Sequence, residues 1–180
     1  MNRLYSAVIL AMFVLHTGTA AASISEQRTS DIIDGLLPLA AFGTAYFKGD
    51  SEGEKQWLHA TVINEVLDSS LALVFNKTSL GTRPNGGSYS FPSGHAAFAF
   101  SQAGFLQERY GWAYGAPALV LATAVSYIRV DIGKHHWRDV IAGGALGYGV
   151  AMVTVTPLNA MHLAPIIGPH WLGIRYDRSF

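Results

Sequence analysis

Two short stretches of this chain hold most of the residue types that can do chemistry. The first carries Lys77, Arg83-Pro84 and then Phe91-Pro92-Ser93-Gly94-His95, which opens onto an apolar run. The second carries Arg129 and His135-His136-Trp137-Arg138-Asp139, again where a polar break meets an apolar run. Ser93 ahead of Gly94 makes a good helix N-cap, and the unbonded N–H groups of such a helix start face an anion. Gly94 has no Cβ to hold a ligand away from the backbone. Arg83 and Arg129 offer planar forks of donors that match phosphate oxygens, and Lys77 offers a point charge. Of the two junction histidines, His95 and His135, one can attack phosphorus while the other protonates the departing oxygen. Asp139 follows His135 by four residues, so a helix beginning there would set the two on one face. A carboxylate in that place would fix the imidazole tautomer and stabilise its developing charge. His135, His136 and Asp139 could instead ligate a metal such as zinc. His16, His59, His162 and His170 have no such company and receive no role.

The elements that must position these groups read as helices. Apolar stretches too long for strands alternate with short polar breaks that carry Gly or Pro. The runs cover about Arg28–Phe47, Glu54–Phe75, Ser93–Glu108, Trp112–Tyr127 and Trp137–Val155. Lys48–Gly53, Asn76–Pro92 and Val130–His136 are the breaks between them, and the tail from Pro157 reads as irregular or briefly extended. The expected fold is an all-α bundle of five or six helices.

Composition narrows the setting. At 180 residues there is room for one domain. A formal charge of zero gives no electrostatic reason to bind nucleic acid. With no cysteine, disulfides and thiolate metal sites are excluded. Only 13% of residues are charged, against about a quarter in an ordinary soluble domain, so the helices either pack on most faces or touch lipid. Gly111–Ile128 and Val140–Met161 carry no charge and suit membrane spans by length, whereas Asp34, His59, Asn64, Glu65 and Asp68 argue against spans elsewhere. Arg3, the apolar run Leu4–Leu15 and the small residues ending at Ala22 read as a secretory signal peptide, residues 1–22, leaving 23–180 as the mature domain.

Taken together, the motifs resemble the type 2 phosphatidic acid phosphatase family, which shares its site with vanadium haloperoxidases. That family carries Lys, six residues, Arg-Pro; then Pro-Ser-Gly-His; then Ser-Arg, five residues, His, three residues, Asp. Pro92-Ser93-Gly94-His95 matches the second part, and Arg129, His135 and Asp139 match the third at every spacing. The likeness covers roughly 64–152. Two positions depart: Ile128 stands in place of Ser, and Lys77 lies one residue too near Arg83, with Asn76 at the usual lysine position. Lys77 keeps the role because a long side chain can absorb such an offset.

The resemblance implies a phosphatase in which His135 takes the phosphoryl group as a phosphohistidine, with Asp139 behind it. Lys77, Arg83, Ser93, Gly94 and Arg129 would hold the phosphate oxygens, and His95 would serve the leaving group and then the water. No metal or other cofactor is expected, since fixed cations neutralise the charge. The implied substrate is a phosphomonoester or pyrophosphate of a lipid: phosphatidate, phosphatidylglycerophosphate, undecaprenyl pyrophosphate or lipid A. Leu80–Gly87 is somewhat similar to bacterial lipid A phosphatases. The implied place is the periplasm or the inner membrane with the site facing the periplasm. The rival readings are a soluble acid phosphatase, a haloperoxidase that needs vanadate, and an inactive phosphate-binding protein.

Overall fold

Five helices carry the described chain from Glu26 to Thr154: α1 (Glu26–Phe47), α2 (Ser51–Phe75), α3 (Gly94–Tyr110), α4 (Trp112–Asp131) and α5 (Trp137–Thr154). The computed structural model describes residues 26–158, together with the backbone of 161–168 and 171–178. The segment read as a signal peptide lies outside the described residues. The all-α bundle is as expected, with one addition and one extension. The tail forms two strands, β1 (Met161–Gly168) and β2 (Trp171–Arg178), paired antiparallel from Met161 opposite Arg178 to Gly168 opposite Trp171. A two-stranded ribbon has outward-facing backbone positions, which is where a proline such as Pro165 is tolerated. Meanwhile α4 runs on past Tyr127 to Asp131, so Arg129 stands in its last turn and the break read from Val130 begins two residues later.

The bundle is organised around α3, which packs most extensively against α5 and then α4. Its small residues Ala96, Ala97, Ala99, Ala103 and Gly104 are buried, as are Phe105 and Leu106. Close approach needs missing side chains on both partners. A Cβ on Gly147 of α5 would run into the Ala97 carbonyl, and one on Gly143 would run into the Ser93 carbonyl. Helix α1 adds Ile33, Leu37, Ala41 and Ala45 at helical spacing to the same core.

Far from the motif residues, a buried ion pair fastens the helix ends. Asp50 caps α2 by accepting from the Gly53 amide (2.9 Å) and receives the Arg109 fork at 2.6 and 2.7 Å. Arg109 also donates to the Thr156 carbonyl beyond α5 (2.8 Å). A hollow of about 510 Å³ beside this clamp, reaching from Lys48 to Leu158, contains none of the motif residues.

Candidate active site

The connection between α2 and α3 is a knit loop. The Asn76 side chain accepts from the Tyr89 amide (2.9 Å), and the Ser90 amide donates to the Gly81 carbonyl (3.0 Å). Tyr89, pinned in this way, adopts a left-handed φ of 58° that non-glycine residues seldom take. The loop's product is Ser90, fully buried against the start of α5.

The second motif is set by the end of α4. Gly133, at φ 67°, turns the chain back so that the Lys134 and His135 amides both donate to the Arg129 carbonyl, at 3.0 and 3.2 Å. The His135 ring then lies buried, with Nδ1 2.8 Å from the Ser90 carbonyl. A carbonyl can only accept, so Nδ1 carries the proton and Nε2 keeps its lone pair. Asp139 was expected to fix this tautomer. Its fully buried carboxylate instead accepts from Ser90 Oγ (2.5 Å) and from the His136 amide (2.8 Å). Asp139 thus fixes the residue that fixes the ring. Ser90 had no signal in the sequence, because its partners stand 45 and 49 residues away.

Helix α3 enters from the other side. The Ser93 amide donates to the Asp139 carbonyl (3.0 Å), tying the starts of α3 and α5 together. Among the described residues, Ser93 Oγ is buried with no hydrogen-bond partner, as are Arg129 Nε and Nη1 and Arg83 Nε, although Arg129 Nη1 lies 3.5 Å from the Asp31 carboxylate. A buried donor without an acceptor costs about 1–3 kcal/mol. Four such atoms on residues that also surround two histidines suit an anion with several oxygens. Burial lowers the pKa of His135 to about 4; the Ser90 bond opposes this, and the Arg83 and Arg129 charges add to it. His95 is likewise held below its usual range, by burial and then Arg129, with Asp31 pulling the other way.

Two expected residues sit elsewhere. Lys77 is exposed on the turn after α2 and, among the described residues, makes no hydrogen bond or ion pair. His136 faces the Thr82 carbonyl (3.3 Å), and among the described residues no three His, Cys, Asp or Glu side chains are set to share a metal ion.

The family model described as the PAP2 superfamily matches residues 39–160. The chain belongs to this superfamily. A lipid A 4'-phosphatase of Helicobacter pylori (strain J99) is 43% identical over 60 residues, which is 33% of this chain and 30% of that protein. The chain therefore spans less than a third of that curated relative. The fold of this PAP2 member is shared with two crystal structures. LpxE of Aquifex aeolicus matches with a TM-score of 0.53 and 23% identity, covering 81% of this chain and 93% of that one. A transmembrane PAP2 type phosphatidylglycerolphosphate phosphatase of Bacillus subtilis matches at 0.59 and 21%, covering 86% and 85%.

Beside the PAP2 site, α4 and α5 enclose a groove of about 350 Å³ lined by Phe100, Tyr127, Trp137, Val140 and Ile141. Trp137 lies two residues after His135, Val140 follows Asp139 directly, and Tyr127 precedes Arg129 by half a turn. Ser126 Oγ, also on this groove, is buried with no hydrogen-bond partner among the described residues.

Proposed function

We propose that this chain is a lipid phosphatase that works through a phosphohistidine on His135. The observation that carries the reading is the tautomer of His135: Nδ1–H is spent on the Ser90 carbonyl, leaving Nε2 as a nucleophile beside Arg83 and Arg129, whose buried donors lack hydrogen bonds. In the first step Nε2 forms a bond to phosphorus, the bond from phosphorus to the leaving oxygen breaks, and His95 gives that oxygen a proton. In the second step water attacks phosphorus, the N–P bond breaks, and His95 takes the water's proton. Arg83, Arg129, Ser93 Oγ and the Gly94 amide hold the three equatorial oxygens, where charge is greatest in the transition state.

Support for a lipid substrate comes from PAP2 membership and from the apolar groove between α4 and α5. By length and composition, α2 and α4 are each able to cross a membrane. The uncharged run Val140–Met161 suits a span by length, but α5 stops at Thr154, whereas the polar side chains Asn64 and Asp68 of α2 turn inward. With the Arg3-to-Ala22 pattern directing export, the site would face the periplasm.

The test is phosphate release by the purified protein in detergent with EDTA present. Phosphatidate, phosphatidylglycerophosphate, undecaprenyl pyrophosphate, lipid A and p-nitrophenyl phosphate would run beside a His135→Ala control. Release of phosphate from a lipid, lost in the variant, is the expected result. Vanadate binding with no turnover of any substrate would replace this reading with that of a binding protein.

A further inference from the structure

Residues 31 and 34 lie ahead of the residues matched by the PAP2 family, and neither belongs to its motifs, yet both carboxylates reach the site. One turn of α1 carries them on a single face, next to the buried stripe of Ser30, Ile33 and Leu37. Asp31 Oδ1 lies 3.3 Å from His95 Nε2 and 3.5 Å from Arg129 Nη1, and Asp34 Oδ2 lies 4.0 Å from the same ring nitrogen. We infer that Asp31 is a positioning residue for the proton transfer: it holds His95 by Nε2–H, so that Nδ1 is the nitrogen that exchanges a proton with the leaving oxygen and then with water.

Three things follow from that geometry. A carboxylate on Nε2–H stabilises the imidazolium, and the phosphorylation step needs His95 protonated at its start. Burial and the Arg129 charge both work against that proton, and Asp31 is the group that opposes them. The same oxygen also braces Arg129, so the acid and a phosphate-holding cation share one support. The cost falls on binding, because a carboxylate beside Arg129 repels an incoming phosphate. Asp31 should therefore raise turnover while weakening affinity for the anion.

This inference rests on the phosphatase reading. Asp31→Asn keeps the shape and removes the charge. The other charged groups around the ring are Asp34 on α1, Arg129 on α4 and Arg83 in the loop. Glu65 and Asp68 on α2 stand next, beside Asp34 and Gly94. All of these are unchanged in the variant, and Glu65→Gln serves as a control for the loss of a carboxylate that does not touch His95.

The experiment measures kcat/KM, which reads the first step, for an alkyl phosphate and for p-nitrophenyl phosphate, together with vanadate affinity. An alkoxide needs a proton to leave, whereas nitrophenolate does not. For Asp31→Asn the alkyl phosphate should lose on the order of tens-fold in kcat/KM. Its alkaline limb should move to lower pH, while p-nitrophenyl phosphate changes little and vanadate binds as well or better. Asp31→Glu should restore part of the loss, and Glu65→Gln should leave the limb where it is. Equal losses on both substrates would mark Asp31 as merely structural. A gain on both would mean that its carboxylate stands in the phosphate's place as a plug. Either result overturns the inference while leaving the phosphatase reading intact. No turnover by the unaltered protein would instead remove that reading, and this inference with it.

Discussion

At the scale of single residues, the chemistry depends on where protons sit. The His135 ring is neutral because it is buried and because Arg83 and Arg129 repel a proton, which takes its pKa to about 4. The His135 ring therefore stays unprotonated well below the pH at which a free imidazole would charge. Stability follows with a definite sign. Between pH 6.5 and about 4 the unfolded chain protonates this histidine and the native chain does not, so stability falls as pH falls through that window. The full effect is roughly 3 kcal/mol. His135→Gln removes the titration, so its melting temperature should decline less steeply than that of the unaltered protein between pH 7 and pH 4. Parallel declines would mean that the ring is solvated in the native state. Much of this site was legible in advance, because the spacing of Arg129 at the end of α4 from His135 and Asp139 at the start of α5 is a local property. Ser90 and Asp31 were not legible. Each meets its partners across a long sequence separation, and neither a lone serine nor a lone aspartate carries a pattern of its own.

At the scale of elements, the starts of α3 and α5 must be held together for Ser93, Gly94 and Asp139 to share a site. The glycines of α5 do this by omission. A Cβ on Gly143 would strike the Ser93 carbonyl, which is backbone and cannot swing aside. Gly143→Ala should cost about 1–3 kcal/mol and lower kcat by displacing the α3 start. Gly149 has open space where a Cβ would stand, so Gly149→Ala should stabilise by about 0.5–1 kcal/mol through helix propensity. Thermal unfolding of the two variants tests the contrast, and equal shifts would show that the helices are not in close contact. The apolar runs located all five helices to within a few residues. The end of α4 was misjudged because Arg129 and Asp131 looked like loop residues. Arg129 is in fact turned inward, and the stop signal is Gly133, whose positive φ is invisible until the turn is seen.

At the scale of the whole molecule, composition left two settings open, an exported soluble bundle or one embedded in lipid. Exposure separates them better than composition does. A core helix of a soluble protein hides its apolar residues, but only 11% of the apolar window of α2 is buried, and 33% of that of α4. Leu39 and Phe47 on α1, Val66 and Val74 on α2, Val120 on α4 and Val153 on α5 all point outward, each more than half exposed. Apolar surface spread over four helices far exceeds what single surface residues explain. The polar side chains of α2 run along the opposite face: Gln56, Asn64 and Asp68 are buried at helical spacing. A helix that is polar inside and apolar outside is inverted for water and suited to lipid. The full chain should therefore sediment with membranes and stay there through alkaline carbonate, leaving only under detergent. Val66→Lys with Val120→Lys puts a charge on each candidate span, at a cost of about 2.5–3.5 kcal/mol per residue at mid-helix, and should sharply reduce the membrane-bound yield. Release of the unaltered protein by carbonate, with the double variant equally abundant, would return the bundle to water and the substrate to small phosphate esters.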